Sequence, residues 1–213
     1  MKIELKKYTE QDVQWPQSGY HIMAQYNEKE IIIYQSYKKE IGNFAVKNQF
    51  FGGAFSFDRM TWIKPNFLWM MYRNGWGTKE GQEVVLAINL KMAAFENYLQ
   101  HAVYSSYNQT LGITEESWRE QVALSSARLQ WDPDHNPYGE KLNRRAIQIG
   151  LRNEFIKSFA NEDIILIEDI SDFVNEQYQF VQNRELEKLI VPLEKPLLFN
   201  DDKLNEKLKI KTN

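Results

Sequence analysis

The densest chemistry-bearing stretch of the chain is Met60–Trp76, MTWIKPNFLWMMYRNGW, in which Lys64 and Arg73 alternate with Trp62, Trp69, Tyr72 and Trp76. Flat aromatic faces stack on nucleotide bases, and a guanidinium fork matches phosphate oxygens, so this composition suits a pocket for a nucleotide. The same residues suit a core helix whose tryptophans fill space and whose cations reach out to water. A second stretch is Tyr34-Gln35-Ser36-Tyr37. Strand alternation puts Gln35 on the face of Ile31 and Ile33, opposite Tyr34 and Ser36. An amide on an apolar face needs a hydrogen-bond partner, either a ligand or a buried backbone group.

A third surface is predicted from RAIQIGLR. Arg144 and Gln148 share a strand face with the small residues Ala146 and Gly150, which leaves room for a ligand, and Arg152 lies just beyond. Arg128, in ARLQWDPD, joins that surface if the two strands are neighbours. Asp132, Glu154 and Glu168 are the candidate acids or bases, although no surrounding pattern marks any of them. The three histidines, His21, His101 and His135, are dispersed, so no metal is expected. His135, among Asp132, Asp134 and Asn136, is the best single ligand candidate, with a solvated loop as the competing reading.

These side chains must be positioned by elements the pattern also predicts. Strands are expected over Glu30–Tyr37, Val84–Leu90, Ser125–Trp131, Arg145–Leu151 and Ile164–Glu168, where β-branched and aromatic residues concentrate or alternate. Helices are expected over Lys38–Lys47, Met92–Tyr104 and Glu154–Phe159, after Thr114, and from a Ser171 cap to Val181. Another is expected inside Met60–Trp76, started by Pro65 and ended by Asn74-Gly75. Asp132–Pro137 reads as a rigid polar loop. Without regular βαβ spacing, the order implies an α+β fold with a mixed, partly antiparallel sheet and packed helices. The expected organisation is a polar N-terminal extension over 1–20, one domain over 21–200, and a charged, fraying tail over 201–213.

The chain has 213 residues, 43% hydrophobic, enough for one substantial core. Its 26 basic and 29 acidic residues give a net charge of −3, so no bulk positive field draws in nucleic acid. A local basic cleft remains compatible with that balance. Cysteine is absent, which excludes disulfides, thiolate nucleophiles and thiolate-held metals. The N-terminal segment lacks an apolar run and no stretch reaches the ~20 apolar residues of a membrane span, so a cytoplasmic protein with no membrane partner is expected.

The strings Tyr34–Tyr37, MTWIKPNFLWMMYRNGW, ARLQWDPD and RAIQIGLR, in that order and spacing, resemble the family called domain of unknown function 4291, over about Ile22–Leu198. A more distant likeness is to the ADP-ribosyltransferase group. That likeness implies a split, mainly antiparallel sheet enclosing nicotinamide adenine dinucleotide (NAD), with a protein or nucleic-acid acceptor. It implies that Tyr34 and Gln35 occupy the early-strand position and orient the ribose and amide, with Gln35 replacing the usual histidine or arginine. Gln148 or Glu168 falls in the region of the catalytic glutamate, which has no unambiguous match here. Trp69 or Tyr72 would shield the nicotinamide, beside Trp62. Lys64, Arg73 or Arg152 would neutralise the diphosphate, in a cleft that Arg128 and Arg144 would join. The alternatives are a non-catalytic nucleotide- or RNA-binding module and an interaction domain whose aromatic block is core. Full enclosure of both Trp62 and Trp69 would favour the last.

Overall fold

The computed structural model describes residues 1–210. Its elements in chain order begin with β1 (Leu5–Lys7), α1 (Tyr8–Asp12), β2 (Gly19–Tyr20), β3 (Ile22–Ala24), β4 (Glu30–Tyr37), α2 (Lys39–Asn48), β5 (Thr61–Ile63) and α3 (Phe67–Asn74). The middle of the chain forms β6 (Val84–Lys91), α4 (Met92–His101), β7 (Ala102–Tyr104), α5 (Glu115–Leu124), β8 (Ala127–His135) and β9 (Lys141–Leu151). It closes with α6 (Asn153–Ser158), β10 (Ile164–Asp169), α7 (Ser171–Gln182), β11 (Ile190–Pro192), β12 (Lys195–Leu197) and α8 (Asp202–Lys207).

Strands β10, β6 and β4 form an antiparallel sheet in that order. The second sheet runs β2-β9-β8-β7, with β5 sharing the β2 edge of β9. Its β8–β9 and β5–β9 pairs are antiparallel, while β2–β9 and β7–β8 are parallel. One backbone bridge joins the two sheets: the Tyr34 N–H donates to the Lys64 carbonyl at 2.7 Å. The result is a mixed α+β fold around a curled, partly antiparallel sheet.

The central strands read as continuous apolar runs because both of their faces are covered. Alternation sends Ile31, Ile33, Leu86 and Ile88 into one core, with Phe95, Ile149 and Phe159. It sends Ile32, Tyr34, Val85 and Ala87 into the other, against Phe67, Met71 and Val174. Gln35 therefore lies on the side of the first core and Tyr34 in the second.

Several expectations are corrected. The segment Asp132–His135 is no loop: β8 continues through it, and the turn comes later, where the Asn136 side-chain oxygen accepts from the Tyr138 and Glu140 N–H groups. Ser171 begins α7 rather than capping it, and its hydroxyl oxygen accepts from the Val85 N–H. The first twenty residues are packed rather than splayed: β1 pairs with β11, and Tyr8, Gln11 and Trp15 are buried. The supposed fraying tail forms α8, capped by the Asp201 carboxylate, with Leu204, Leu208 and Ile210 buried in the first core. Residues 211–213 of that expected tail lie outside the described residues. Among the described residues no helix is long and apolar enough to cross a membrane.

Helix α2 crosses β6 so closely that a Cβ on Gly42 would meet Val84 Cγ1 at 2.5 Å. Such overpacking forces side chains off their rotamers or the helix off the sheet. Gly42→Ala is expected to lower unfolding stability by ~1–3 kcal/mol in urea melts. An unchanged midpoint would mean that α2 is free to shift.

Candidate functional site

The register of β5 on β9 sets Trp62 opposite Gly150 and Ile63 opposite Ile149, so that Lys64 follows at the end of β5 and Gln148 comes next to Ile149 on β9. Gln148 in turn pairs with Gln130 on β8. Chain direction then changes at once. Asn66 caps α3, its side-chain oxygen accepting from the Trp69 N–H at 2.6 Å, and Gly75 ends the helix in the left-handed region. This strand–cap–helix succession hangs Arg73, in the last turn of α3, near Lys64.

Lys64 is 7% exposed, and its ammonium donates to the Trp62 carbonyl at 3.1 Å. Its pKa is pushed down to about 7, chiefly by burial and then by the Arg73 guanidinium, with Asp132 pulling the other way. Gln35 lies on the same carbonyl, donating to the Trp62 oxygen at 3.3 Å and to the Thr61 hydroxyl at 2.8 Å. Its own Oε1 is buried without a partner among the described residues. These groups wall a cleft of about 160 Å³ that also takes in Ser36, Met70 and Arg73. Across Tyr37, Met60 and Thr61 it adjoins a cavity of about 440 Å³ lined by Lys38, Phe55 and Arg59. No carboxylate lines either hollow, and Lys38 alone of the four cations has an ion-pair partner, Glu40, among the described residues. Larger cavities of about 740 and 620 Å³ open elsewhere, but carboxylates line both, Glu28 and Glu96 in one and Glu206 in the other.

The structure thus brings Gln35, Trp62, Lys64 and Arg73 together, with Gln148 on the adjacent rung. The other expected residues go elsewhere. Tyr34 is fully buried in the second core, its hydroxyl without a partner and its ring edge-on to Phe67. Burial and the carboxylate of Glu194 hold its phenol protonated. Trp69 is enclosed, whereas Trp62 stays partly exposed, so the two tryptophans divide between core and cleft. Trp69, Tyr72 and His135 lie nearly parallel, with the Tyr72 and His135 rings 3.5 Å apart. His135 is therefore a buried stacking partner and not part of a solvated loop. Among the described residues no three His, Asp or Glu side chains converge to hold a metal ion.

The remaining arginines serve the fold. Arg128 and Arg152 both donate to the Val122 carbonyl, and Arg152 also reaches Ala123 and Ser125, so the two guanidiniums cover the C-terminal end of α5. Arg144 forms a buried ion pair with Asp134 at 2.6 Å, donates to the Pro16 carbonyl and lies over Trp15. Glu194 is buried nearby, its carboxylate accepting from the Phe67 N–H and the Asn66 amide, and burial raises its pKa well above the usual range. The room expected over Gly150 is filled: a Cβ there would meet the Met60 sulfur at 2.4 Å and Trp62 at 3.1 Å. Glu168 sits on edge strand β10, across Ala87 from Tyr34, and so faces the second core rather than the cleft.

Two features escaped the sequence reading. Gln130 and Gln148 each donate to one oxygen of Asp132, both at 2.8 Å, which orients that carboxylate on the polar face of the second sheet. Alternation along β8 places Gln130 and Asp132 on one face, a signal that was available. Arg59 lies in an irregular connection, where no periodicity points to it.

Lys64 also makes stability depend on pH. In the unfolded chain a lysine keeps its proton to about pH 10, but buried here it loses it near pH 7. Below pH 7 both states are charged and the burial penalty is present in full. Between about pH 7 and 10 the unfolded chain holds the extra proton, so the penalty fades and stability rises with pH. Lys64→Met, which keeps the stem and removes the charge, is expected to stabilise the fold by on the order of 3 kcal/mol at pH 6. That gain should shrink toward zero by pH 10 in urea melts at each pH. A variant no more stable than the parent at pH 6 would mean that the ammonium is fully compensated inside the fold.

No curated protein matches the chain. The sequence pattern of the family described as "Domain of unknown function (DUF4291)" matches residues 21–197, from just before β3 to the end of β12 and across every residue of the cleft. The chain belongs to that family.

Proposed function

We propose that the cleft at the seam of the two sheets binds an anionic nucleotide, with NAD as the ligand and ADP-ribosyl transfer to a protein or nucleic acid as the reaction. The observation that carries this reading is the lining of the two adjoining hollows: four cations, the aromatic side chains of Tyr37, Phe55 and Trp62, and no carboxylate, in a chain of net charge −3. Phosphate groups suit Lys64 and Arg73, which have no ion-pair partner among the described residues. Gln35 Oε1, buried and unpartnered, suits a hydroxyl or amide donor on the ligand. In the transfer step the acceptor's nucleophile bonds to ribose C1′ while the bond from C1′ to nicotinamide breaks. Nicotinamide leaves with the electron pair, and the acceptor's proton passes to a carboxylate. Asp132 is the candidate base: its two glutamine donors orient it and it acts on Lys64 through space, from outside the lining of the two hollows.

A second reading is a nucleotide-binding module without catalysis. The position of Glu168 favours it, because that acid faces away from the cleft.

Calorimetric titration of NAD tests the shared part of both readings. Arg73→Ala and Lys64→Met are each expected to weaken binding ~10–100-fold, the weight of one lost charge-assisted hydrogen bond. Binding to the parent chain should also weaken from pH 6 to pH 8, because the anion takes the protonated Lys64 and that form fades above about pH 7. Mass spectrometry for free nicotinamide and an ADP-ribose adduct then separates enzyme from module. Unchanged affinity in both variants would remove the cleft as the nucleotide site.

A further inference from the structure

The cleft holds a second kind of chemistry that needs no dinucleotide. Lys64 combines three properties that rarely coincide. Its amine is nearly enclosed, it has no carboxylate partner within ion-pair distance among the described residues, and it lines a hollow open to small molecules. A lysine in these surroundings is desolvated, and desolvation favours the neutral, nucleophilic amine over the ammonium. The charged groups facing it are Arg73 from α3 and Asp132 from β8, and they act in opposite senses. With its pKa near 7, a large fraction of Lys64 is unprotonated at neutral pH. Beside it, Gln35 has an acceptor oxygen that no described residue satisfies, although the residue is only 3% exposed. Such an orphaned acceptor calls for a donor on a ligand.

We infer that Lys64 forms a reversible imine with the aldehyde of a short phosphorylated sugar, with Arg73 binding the phosphate and Gln35 Oε1 accepting from a sugar hydroxyl. The amine nitrogen adds to the carbonyl carbon, and the carbonyl oxygen takes up a proton to give a carbinolamine. Loss of that hydroxyl as water leaves the carbon–nitrogen double bond. Nothing is oxidised or reduced, and water is the sole product released. The Trp62 carbonyl, which accepts from both Lys64 and Gln35, holds the two side chains in one place. The cleft volume of about 160 Å³ admits a three-carbon sugar phosphate, whereas a larger ligand must extend into the adjoining hollow.

The probe is glyceraldehyde 3-phosphate with cyanoborohydride at pH 7, the reductant serving only to trap the imine, followed by peptide mapping of the intact chain. The expected result is an adduct at Lys64 that forms at least ~10-fold faster than at surface lysines, since those are almost entirely protonated at this pH. Unphosphorylated glyceraldehyde should label Lys64 ~10-fold more slowly, and Arg73→Ala should abolish that preference. The rate at Lys64 should reach half its plateau near pH 7, while rates at surface lysines keep rising beyond pH 9. Labelling spread evenly over surface lysines, or no adduct at Lys64, would overturn the inference, and the mapping needs no variant to fold. Equal labelling by the two aldehydes would overturn the phosphate subsite. NAD titration on unlabelled protein is a separate measurement, so failure of either idea leaves the other standing.

Discussion

The bridge from the Tyr34 N–H to the Lys64 carbonyl is the constraint on which the site depends, because it is where two sheets meet and immediately part. In a regular antiparallel ladder the next rung would join Ser36 to Trp62. Here the Trp62 carbonyl accepts instead from the side chains of Gln35 and Lys64. A buried carbonyl must be satisfied, and once side chains satisfy it the strands are free to diverge. The cleft is the space that divergence opens. The polar residues on its walls are therefore structural and chemical at once: they finish the ladder by side chain and leave the Lys64 amine and the Gln35 amide at the wall of the hollow.

Helix α3 covers one end of the second sheet, with its apolar face in the second core and its first turn held by the buried side chain of Glu194. The Glu194 carboxylate receives the first N–H of the helix and the side chain of its cap, while the Arg144–Asp134 pair lies close by. A buried ion pair is weak as a source of stability, since desolvation offsets most of the attraction, but it is demanding in geometry. Breaking one partner leaves a charge stranded. Glu194 and the Asn66 cap together fix where α3 begins, and with it where Arg73 ends up relative to Lys64.

The elements were legible where one periodicity dominates. Strand β4 was readable residue for residue because β-branched and aromatic residues concentrate in it, whereas β6, apolar on both of its covered faces, showed no alternation and was ambiguous except for its length and its β-branched residues. The cleft was half legible: Gln35, Trp62, Lys64 and Arg73 lie in two short segments whose composition is unusual, and they do converge. The arginines of β8 and β9 misled because a guanidinium looks alike in sequence whether it meets a phosphate or the carbonyl end of a helix. Arg128 and Arg152 do the latter, and only the packing of α5 against β7 and β8 reveals it. Gly150 misled similarly, since a missing side chain shows where space exists but not that Met60 and Trp62 fill it. The termini were misread because their polarity hides a few apolar anchors, Tyr8 and Trp15 at one end and Leu204 and Leu208 at the other.

The overall charge is slightly negative while the cleft is cationic, and the difference has a kinetic meaning. A chain of net charge −3 gives an anion little long-range attraction, so encounter is not accelerated at a distance. Recognition must come from short-range contacts that act after arrival, within about one Debye length of ~8 Å at physiological ionic strength. Enclosed cations are also less screened than surface ones. Long polyanions, whose affinity rests on many exposed contacts and released counterions, are poorly served by such a site. A small ligand with one or two phosphates, held by an enclosed lysine and a rim arginine, is well served. The arrangement of charge therefore selects for size as well as for sign.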